Sequence, residues 1–410
     1  MSHHFRPTDD AHVCEAVAWA VSEETPLEVL GHGSKRGLGR PGNYSATLDL
    51  SDLAGVGYYE PSELAFSAGA GTALADIKTL LAENDQQLAF EPPDFGPLFG
   101  GAAGQATIGG VVACNQSGPR RIAAGAARDH FLGLKAVNGR GELFKSGGKV
   151  VKNVTGYDLC KALAGSYGTL AVLTDVTLKV LPAAEKTRTV LVQGLADGEA
   201  VSVLAGVAGA AFEATALAHI PAPVAARSGV DYVSGTGTSV TAVRLEGTEK
   251  SVLYRCDRLR DHLAAHGAIE ELHATNSRRL WGEIGDVTPF VALAEHRIWR
   301  LSVPPAAAPA IVADIARHCD CEWFFDWAGG LVWLAIEGAT EDGGASVVRG
   351  AIACAGHGGH ATLVRADADL RARVPVFHPQ PAPLAALSAR FKSQFDPRGV
   401  LNPGRMVAES

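Results

Sequence analysis

A glycine-rich stretch with two cations inside it is the part of this sequence best suited to bind an anion. The residues from Gly31 to Pro41 read Gly-His-Gly-Ser-Lys-Arg-Gly-Leu-Gly-Arg-Pro. Glycines leave backbone N–H groups uncovered, because no Cβ stands in front of them, and Lys35 and Arg36 balance negative charge. The pattern predicts a loop that holds a phosphate or pyrophosphate. The residues leave one alternative open, an ordinary surface loop between two strands.

Two common phosphate-binding motifs are excluded by the residues present. A dinucleotide fingerprint with glycines at 31 and 33 needs a third at 36, where Arg stands, and Pro41 and Gly42 prevent a helix from starting afterwards. The Gly148-Lys149 pair is followed by Val150, so it lacks the Ser or Thr of a Walker A loop. The anion site is therefore predicted to use loop backbone without a helix N-terminus.

A second segment, residues 100–118, is built almost entirely from small side chains. Such a stretch lets backbone approach a flat, bulky ligand, with Thr107, Asn115 and Ser117 as polar anchors. Tight packing between helices favours small residues as well, so both interpretations stay open at this point.

Several elements are predicted around these segments. An apolar run at 27–30 predicts a strand directly before the glycine-rich loop. Residues 157–164 predict a short helix that Gly165 ends, and a turn through Gly168 leads into an alternating strand. That strand places three apolar residues on one face and three polar residues on the other, Val176, Leu178 and Val180 against Asp175, Thr177 and Lys179. Further strands are expected at 190–192 and 331–336, and helices at 251–266, 307–319 and 384–395.

Composition narrows the class of protein. The chain has 410 residues, of which 47% are hydrophobic and 20% charged, as in a soluble protein of two or three domains. A net charge of −8 argues against nucleic acid, and the longest apolar runs are too short to span a bilayer. No signal peptide is visible at the N-terminus, so we expect a cytoplasmic protein with at most peripheral contact to the inner membrane.

The cysteines argue against a disulfide framework and against a metal centre. Seven are scattered along the chain, and only Cys319 and Cys321 lie close together. Cysteines with iron–sulfur spacing are missing, so any iron–sulfur centre that receives electrons from this chain would have to lie on another chain. No metal site is predicted.

A family resemblance is carried by motifs spread along the chain. They are the glycine-rich loop, Pro-Pro-Asp at 92–94, Ala-Thr-Ile-Gly-Gly at 106–110 with Asn115, Arg128-Asp129, Gly-Tyr-Asp-Leu at 156–159, Gly-Ser-Tyr-Gly-Thr-Leu at 165–170 and Asn-Pro-Gly-Arg at 402–405. Their order resembles the FAD-binding domain of the vanillyl-alcohol oxidase / p-cresol methylhydroxylase superfamily. Within it the chain is most similar to the FAD-binding E subunits of bacterial glycolate oxidases, on Gly-Ser-Lys-Arg at 33–36, Lys-Asn-Val-Thr-Gly-Tyr-Asp at 152–158, Trp-Arg-Leu-Ser at 299–302 and Gly-His-Ala-Thr-Leu at 359–363.

The resemblance implies an α+β fold with three parts. Residues 1–182 would form a two-part FAD-binding domain of the p-cresol methylhydroxylase type. Residues 183–374 would form a smaller mixed α/β cap domain that binds substrate or partner, and residues 375–410 would return to the flavin. The strand that stops at Pro182 and the proline-rich stretch from Pro375 mark the two boundaries.

The resemblance also implies a set of cofactor-binding residues. The pyrophosphate would lie on the loop, the channel would be lined by small residues of 107–118, the adenine half would meet 168–172, and the tail would meet the isoalloxazine end. The implied residues are Gly31, His32, Gly33, Ser34, Lys35, Arg36, Gly37, Pro93, Thr107, Gly109, Gly110, Asn115, Ser117, Gly118, Gly168, Thr169, Leu170, Val172, Asn402 and Arg405. Relatives that attach FAD covalently use a His at the slot of Ser34, so noncovalent FAD is expected here.

The implied reaction is oxidation of a small 2-hydroxy acid, glycolate, with electrons passed to a second flavoprotein subunit and an iron–sulfur subunit. The His-x-Gly-Asp-Gly-Asn-x-His motif of related dehydrogenases is not carried over, because this chain has Gly-His-Gly-Gly-His at 356–360. His357 and His360 are therefore interpreted as structural, and no catalytic base is assigned. Two alternatives stay open, a self-sufficient flavin enzyme acting on another hydroxy acid or alcohol, and a non-catalytic assembly subunit.

Overall fold

The structure is a computed structural model that describes residues 3–149, 156–338 and 341–408. It divides the chain into two compact units. The first comprises Met1–Ser117, Gly125–Ala183 and Pro375–Ser410, and the second comprises Gly118–Ala124 and Ala184–Val374. The Lys-Asn-Val-Thr part of the motif at 152–158 lies outside the described residues.

Helices and strands alternate irregularly along the described chain, as expected of an α+β fold. The helices are α1 Asp10–Ser22, α2 Leu74–Ala82, α3 Ile108–Ala113, α4 Arg121–Ala124, α5 Leu159–Leu163, α6 Asp197–Ala208, α7 Ala222–Ala225, α8 Asp231–Ser234, α9 Glu249–Leu263, α10 Ala274–Gly285, α11 Ala308–Ala316, α12 Ala345–Ala355, α13 Ala368–Arg373 and α14 Ala382–Phe395. The strands are β1 His3–Phe5, β2 Leu27–Leu30, β3 Ala46–Asp49, β4 Val56–Glu60, β5 Ala65–Gly69, β6 Gln86–Gln87, β7 Phe131–Asn138, β8 Leu143–Gly147, β9 Ala171–Lys179, β10 Leu181–Pro182, β11 Lys186–Gln193, β12 Ala216–Ile220, β13 Val240–Gly247, β14 Ile269–Leu272, β15 Arg297–Ser302, β16 Cys321–Asp326, β17 Leu331–Ile336 and β18 His360–Arg365.

The first unit is built on two main sheets. A parallel sheet has the order β1-β3-β2, and an antiparallel sheet has the order β4-β5-β9-β7-β8. Helix α1 buries Val13, Ala16, Val17 and Ala20, which recur at the spacing of one helical face, in a core shared by the parallel sheet and by strands β7 and β9 of the antiparallel sheet. The predicted strand at 27–30 is confirmed as β2, which leads directly into the glycine-rich loop.

Strand β9 lies at the centre of the antiparallel sheet, between β5 and β7. The apolar face predicted for it is confirmed, because Val176, Leu178 and Val180 are fully buried in the core that α2 and α3 share. On the face predicted to be polar, Asp175 and Lys179 are half-buried, but Thr177 is buried as well. The short helix predicted at 157–164 is present as α5.

The second unit is an eight-stranded sheet with helices packed on it. Its order is β14-β11-β13-β12-β16-β17-β15-β18, and every pairing is antiparallel. Helices α6 and α9 cover one part of it with buried apolar residues such as Leu204 and Leu259. The predicted strands and helices here are present as β11, β17, α9 and α11; the ends of β17 agree with the prediction, and the others differ by one to four residues.

A buried carboxylate explains why residues 118–124 belong to the second unit, although the sequence placed them in an unbroken first domain. Glu246 accepts hydrogen bonds from Arg120 at 3.0 and 2.7 Å and from Thr215 at 2.7 Å, and Arg244 lies 3.3 Å away. Burial would raise the pKa of Glu246, but the charges of Arg244 and Arg120 outweigh it and lower that pKa to about 2. This ion pair therefore fixes the segment to β13.

Helix α14 contrasts with the other long helices because none of its residues is buried. All residues from 379 to 391 are exposed, and only its last turn reaches the body of the first unit. There the ring of Phe395 lies 6.1 Å from that of Phe144. The prediction of a helix at 384–395 is confirmed.

Candidate functional site

A cleft opens in the first unit beside the glycine-rich loop. The loop forms one wall, α3 forms another, and the turn before β9 and the C-terminal tail close it. Most of the residues expected to bind a cofactor line this cleft: Gly31, His32, Gly33, Ser34, Lys35, Arg36, Thr107, Gly109, Gly110, Gly168, Asn402 and Arg405. The others, Gly37, Pro93, Asn115, Ser117, Gly118, Thr169, Leu170 and Val172, lie outside its lining.

The conformation of the loop depends on glycines at two kinds of position. Gly33 has φ of 77°, in the left-handed region where a side chain is strained. At Gly31 the constraint is space, because a Cβ there would lie 2.7 Å from Oγ1 of Thr107. Likewise a Cβ at Gly37 would lie 2.5 Å from the ring of Phe99, which places Gly37 against the protein and away from the cleft. The loop therefore presses its backbone onto the start of α3.

The two neighbouring cations of the loop have different surroundings. Arg36 donates two hydrogen bonds to Glu28 on β2, at 2.9 and 2.7 Å, so its charge is neutralised within the protein. The Lys35 ammonium has no hydrogen bond or ion pair to any residue that the structure describes. Burial lowers the pKa of Lys35 below its ordinary value. Lys35 is thus a desolvated cation of the cleft that lacks an anion.

Helix α3 places two adjacent glycines in different roles. Thr107 caps the helix, with its Oγ1 accepting from the Gly110 N–H at 3.3 Å. A Cβ at Gly109 would lie 2.6 Å from the Cβ of Ala70, so Gly109 serves close packing between α3 and the chain next to β5. A Cβ at Gly110 would lie 3.6 Å from Nζ of Lys35, so Gly110 leaves room beside the cation. Both interpretations of the small-residue segment hold, at different residues.

The polar anchors predicted after α3 support a turn instead of facing the cleft. Asn115 Oδ1 accepts from the Arg128 N–H at 3.0 Å, and Ser117 Oγ accepts from the Ala127 N–H at 2.9 Å. Both bonds fix the 3₁₀ turn Ala127–Asp129. Gly118 belongs to the second unit, where its carbonyl accepts from Trp327 Nε1 at 3.1 Å.

Gln116 is the buried polar residue of this segment without an internal partner. Only 6% of its surface is exposed, and neither its carbonyl oxygen nor its amide nitrogen has a hydrogen-bond partner among the residues described. A buried amide in this state costs about 1–3 kcal/mol. The sequence analysis did not single out Gln116, because it named the neighbouring residues Asn115 and Ser117 as the polar anchors.

The cofactor-binding residues implied within 168–172 are Gly168, Thr169, Leu170 and Val172, and of these Gly168 lines the cleft. Ala171 and Leu173 line the cleft, whereas Leu170 and Val172, which were predicted, lie outside its lining and are buried in cores. Adjacent residues of a strand point to opposite faces, so a shift of one residue exchanges the two sets. Thr169 Oγ1 donates to the Ser166 carbonyl at 2.6 Å and therefore stabilises the turn.

The C-terminal tail supports the cleft through Asn402. Its side chain accepts from the Val29 N–H at 2.8 Å and donates to the Tyr167 carbonyl at 2.9 Å. The Asn402 backbone N–H also donates to the Leu27 carbonyl at 3.1 Å. One buried side chain thereby joins β2 to the turn before β9, and Gly168 is required beside it because a Cβ there would lie 2.8 Å from Asn402 Nδ2.

Arg405 holds the glycine-rich loop from the same side. Its guanidinium donates to the Lys35 carbonyl at 2.9 Å, and its own carbonyl accepts from the Arg40 N–H at 2.8 Å. Gly39, with φ of 80°, has no room for a Cβ beside that carbonyl. Arg405 therefore fixes the backbone of the loop at both ends of the Lys35–Arg40 stretch.

Several lining residues were missed by sequence reasoning. They are Val29, Leu30, Leu50, Ala70, Ala113, Cys114, Ser166, Tyr167, Ala171 and Leu173. Most are small or apolar and carry no signal beyond their neighbourhood. Cys114 follows α3, and burial raises its pKa although the charges of Lys35 and Arg405 act in the opposite sense.

Pro93, which was predicted to bind the cofactor, is buried in the segment before the 3₁₀ turn Pro97–Phe99. Its neighbour Asp94 accepts hydrogen bonds from the Gly96 and Gly104 N–H groups at 3.1 and 2.6 Å.

Two searches of the described residues complete the survey. Across 3–149, 156–338 and 341–408, no helix is both long and apolar enough to cross a membrane. Within the same ranges no three His, Cys, Asp or Glu residues are grouped so that they could hold a metal ion. His357 and His360 are both exposed, at the end of α12 and the start of β18.

Comparison with known proteins gives a consistent assignment. Residues 2–147 match the FAD binding domain family. The chain is 35% identical over 397 residues to glycolate oxidase subunit GlcE of Escherichia coli (strain K12), which covers 96% of both chains. It is also 40% identical to glycolate oxidase subunit GlcD of Bacillus subtilis (strain 168), over 85 residues, or 21% of this chain and 18% of that one.

The fold is shared with a solved structure. The structure of p-cresol methylhydroxylase with substrate bound superposes with a TM-score of 0.70 over 99% of this chain and 88% of that one, at 13% identity. The predicted α+β fold of the p-cresol methylhydroxylase type is thereby confirmed, and the match to the FAD binding domain family confirms the FAD cofactor. With near-complete coverage at 35% identity, the chain belongs to the family of glycolate oxidase subunit GlcE, among the FAD-linked oxidoreductases of this fold.

Proposed function

We propose that this chain is the FAD-binding subunit of a glycolate oxidase complex, which oxidises glycolate to glyoxylate and passes the electrons on through partner subunits. The observation that carries the proposal is the desolvated Lys35 ammonium without an anion, in a glycine-lined cleft of a GlcE-family chain. A phosphate-containing cofactor supplies the missing anion.

The residues of the cleft fit the pyrophosphate of FAD. The glycine-rich loop offers backbone N–H groups from Gly33 to Lys35, and Lys35 provides the compensating charge beside Gly110. Charge-assisted hydrogen bonds of this type contribute roughly 1.5–3 kcal/mol each, so a few of them account for tight binding without a covalent bond. Ser34 cannot form the covalent link that a histidine at this slot makes, which favours noncovalent FAD.

The other residues of the cleft have supporting roles in the proposal. Arg36 anchors the loop to β2 through Glu28, while Asn402 and Arg405 hold the loop and the turn before β9 in place. When bound, the flavin supplies a two-electron acceptor for the α-carbon of a 2-hydroxy acid.

The partners in the proposal are a second flavoprotein subunit and an iron–sulfur subunit. The partial match to a GlcD subunit and the subunit names of both relatives support a multi-subunit assembly. The iron–sulfur subunit is implied by the resemblance to the E subunits of glycolate oxidases, and the cysteines of this chain, which lack the spacing of a cluster site, are consistent with it. Contact with the membrane, if the complex has it, would be made through a partner or a peripheral surface.

The first experiment is a visible spectrum of the chain expressed alone, followed by anaerobic addition of glycolate. We expect a flavin spectrum, and release of all of the FAD by acid precipitation. Bleaching by glycolate would place substrate oxidation on this subunit. A spectrum that stays oxidised until partner subunits are added would make this flavin an electron relay, and a colourless protein would overturn the proposal.

A substitution in the cleft tests the position of the cofactor. Gly110→Leu fills the space next to Lys35, so we expect the purified protein to lose nearly all of its FAD. Gly282→Leu is the matched control, because Gly282 is also helical and a Cβ there meets nothing within 4 Å. Full FAD content in Gly110→Leu, with wild-type circular dichroism, would contradict the assignment of the cleft.

A further inference from the structure

Helix α14 is too exposed to be stabilised by packing against the rest of the described chain. Residues 379–391 are all exposed, and α14 has no buried residue. Helices in water owe most of their stability to packing of an apolar face, and a 14-residue helix alone is marginal. The feature therefore indicates a surface that something else covers.

The exposed residues form an apolar stripe on one face of α14, which we call the α14 stripe: Leu384, Leu387 and Phe391. Their exposures are 48%, 53% and 38%. The spacings of three and four residues place them in one row along the helix. Phe395 continues the row and packs near Phe144, so the stripe begins at the body of the first unit and extends outward. Anchors at positions i, i+3 and i+7 are typical of helices that insert into an apolar groove of another protein.

The charges around the stripe favour an acidic protein partner over a lipid surface. Residues 375–395 contain no Asp or Glu, although the whole chain has a net charge of −8. Lys392 is used internally, since its ammonium donates to the Thr169 carbonyl at 2.6 Å and contacts Asp396. Arg390 is then the one exposed cation of the helix, whereas membrane-surface helices carry several Lys and Arg on the polar face.

We propose that α14 is a docking helix, whose stripe inserts into an apolar groove with carboxylates at its rim on another subunit of the complex. The proposal rests on the proposed function, because it needs a multi-subunit assembly. It adds a surface and a chemistry of recognition, with Leu384, Leu387 and Phe391 as the anchors and Arg390 as the cation that meets the acidic rim.

The test uses the full-length chain with bound FAD and its GlcD-like flavoprotein and iron–sulfur partners, co-expressed from one source. The triple variant Leu384→Ser, Leu387→Ser, Phe391→Ser is compared with the control Ala386→Ser, Ala389→Ser on the opposite face of the same helix. We expect the triple variant to lower the fraction of chain recovered in the complex at least tenfold, by size exclusion with light scattering. The control stays within twofold of wild type.

Readouts on the isolated chain separate this proposal from the proposed function. FAD content and the flavin spectrum of the triple variant are expected to equal those of wild type, whereas their absence in wild type would count against the proposed function itself. Recovery of the triple variant in the complex at wild-type level would overturn the docking helix. So would a wild-type chain that never associates with the partners.

Two other occupants have their own signatures. A wild-type chain that is dimeric alone, and becomes monomeric in the triple variant, would assign the stripe to a second copy and overturn the proposal. Flotation of the wild-type chain with vesicles of phosphatidylglycerol and phosphatidylcholine, lost in the triple variant, would assign it to a membrane with the same consequence. An Arg390→Glu variant is expected to weaken assembly by itself, since it adds a negative charge against an acidic rim.

Discussion

Each of the two units of this protein contains a charged side chain that is shielded from water. One of these charges is paired with protein groups, and the other is not paired with any group that the structure describes. In the second unit, the Glu246 carboxylate is surrounded by Arg120, Arg244 and Thr215, all within hydrogen-bond or ion-pair distance. In the first unit, the Lys35 ammonium has no such partner among the described residues. The pKa of each group moves accordingly: the partners of Glu246 favour its charged form, and burial disfavours that of Lys35. A buried charge that is paired within the protein stabilises the fold, whereas a charge without a protein partner can bind a ligand of opposite charge.

The largest effect is expected where the paired charge of Glu246 is disturbed. Arg120→Met removes two hydrogen bonds from buried Glu246, and we expect the free energy of unfolding to fall by about 3 kcal/mol. Arg36→Gln is the matched control, because it breaks a similar two-bond pair whose arginine is 57% exposed, and we expect a loss of at most about 1 kcal/mol. Urea unfolding followed by tryptophan fluorescence measures both. Equal losses would remove the distinction between the two pairs.

The charge of Lys35 is tested through the cofactor. Lys35→Met should leave stability nearly unchanged but raise the dissociation constant of FAD by roughly 10- to 100-fold, the equivalent of one charge-assisted bond. Arg36→Gln serves again as a control, since Glu28 already binds that guanidinium, and should change the constant by less than about threefold. Fluorescence titration of the apoprotein with FAD gives the constants. A larger effect of Arg36→Gln than of Lys35→Met would reverse the assignment.

The smallest expected effect is a pH dependence of FAD affinity. A bound pyrophosphate raises the pKa of Lys35 above its lowered value in the free chain, so binding is tightest while Lys35 is protonated. Affinity should then fall as the pH rises through the pKa of the free chain towards that of the complex, and level off above it. Lys35→Met should flatten this dependence, and Cys114→Ser should retain it, because burial raises the pKa of the thiol. An unchanged slope in Lys35→Met would show that another group titrates.

Apolar pattern predicted the elements of this fold well, because burial on one face fixes the spacing of apolar residues. Strand β9 was placed from such a pattern. The same pattern could not assign the face of residues 170–173, since both faces of β9 are apolar there. A resemblance between motifs then shifted the assignment by one residue, to Leu170 and Val172.

The glycine-rich loop was identified as an anion site from its composition. The different roles of Lys35 and Arg36 within it could not be predicted from the sequence. Nothing in the Lys35-Arg36 pair tells that Glu28, on the preceding strand, neutralises one of the two cations. Asn402 was assigned to the cofactor by resemblance, whereas its hydrogen bonds to Val29 and Tyr167 appear only once the tail is folded back. Contacts between residues distant in sequence are what a linear pattern lacks.

Asp396 and Lys392, at the base of α14, connect that helix to the cofactor cleft. Asp396 accepts from the Val400 and Leu401 N–H groups at 3.1 and 2.9 Å, and the Lys392 ammonium also donates to the Leu401 carbonyl at 3.3 Å. Leu401 directly precedes Asn402, so hydrogen bonds connect the last turn of the helix to the tail that closes the cleft. If docking of α14 on a partner subunit orders this tail, assembly and cofactor binding are coupled. Each then tightens the other, because coupling between two binding events is reciprocal. The subunit purified alone would then release its flavin more readily than the same subunit within its complex.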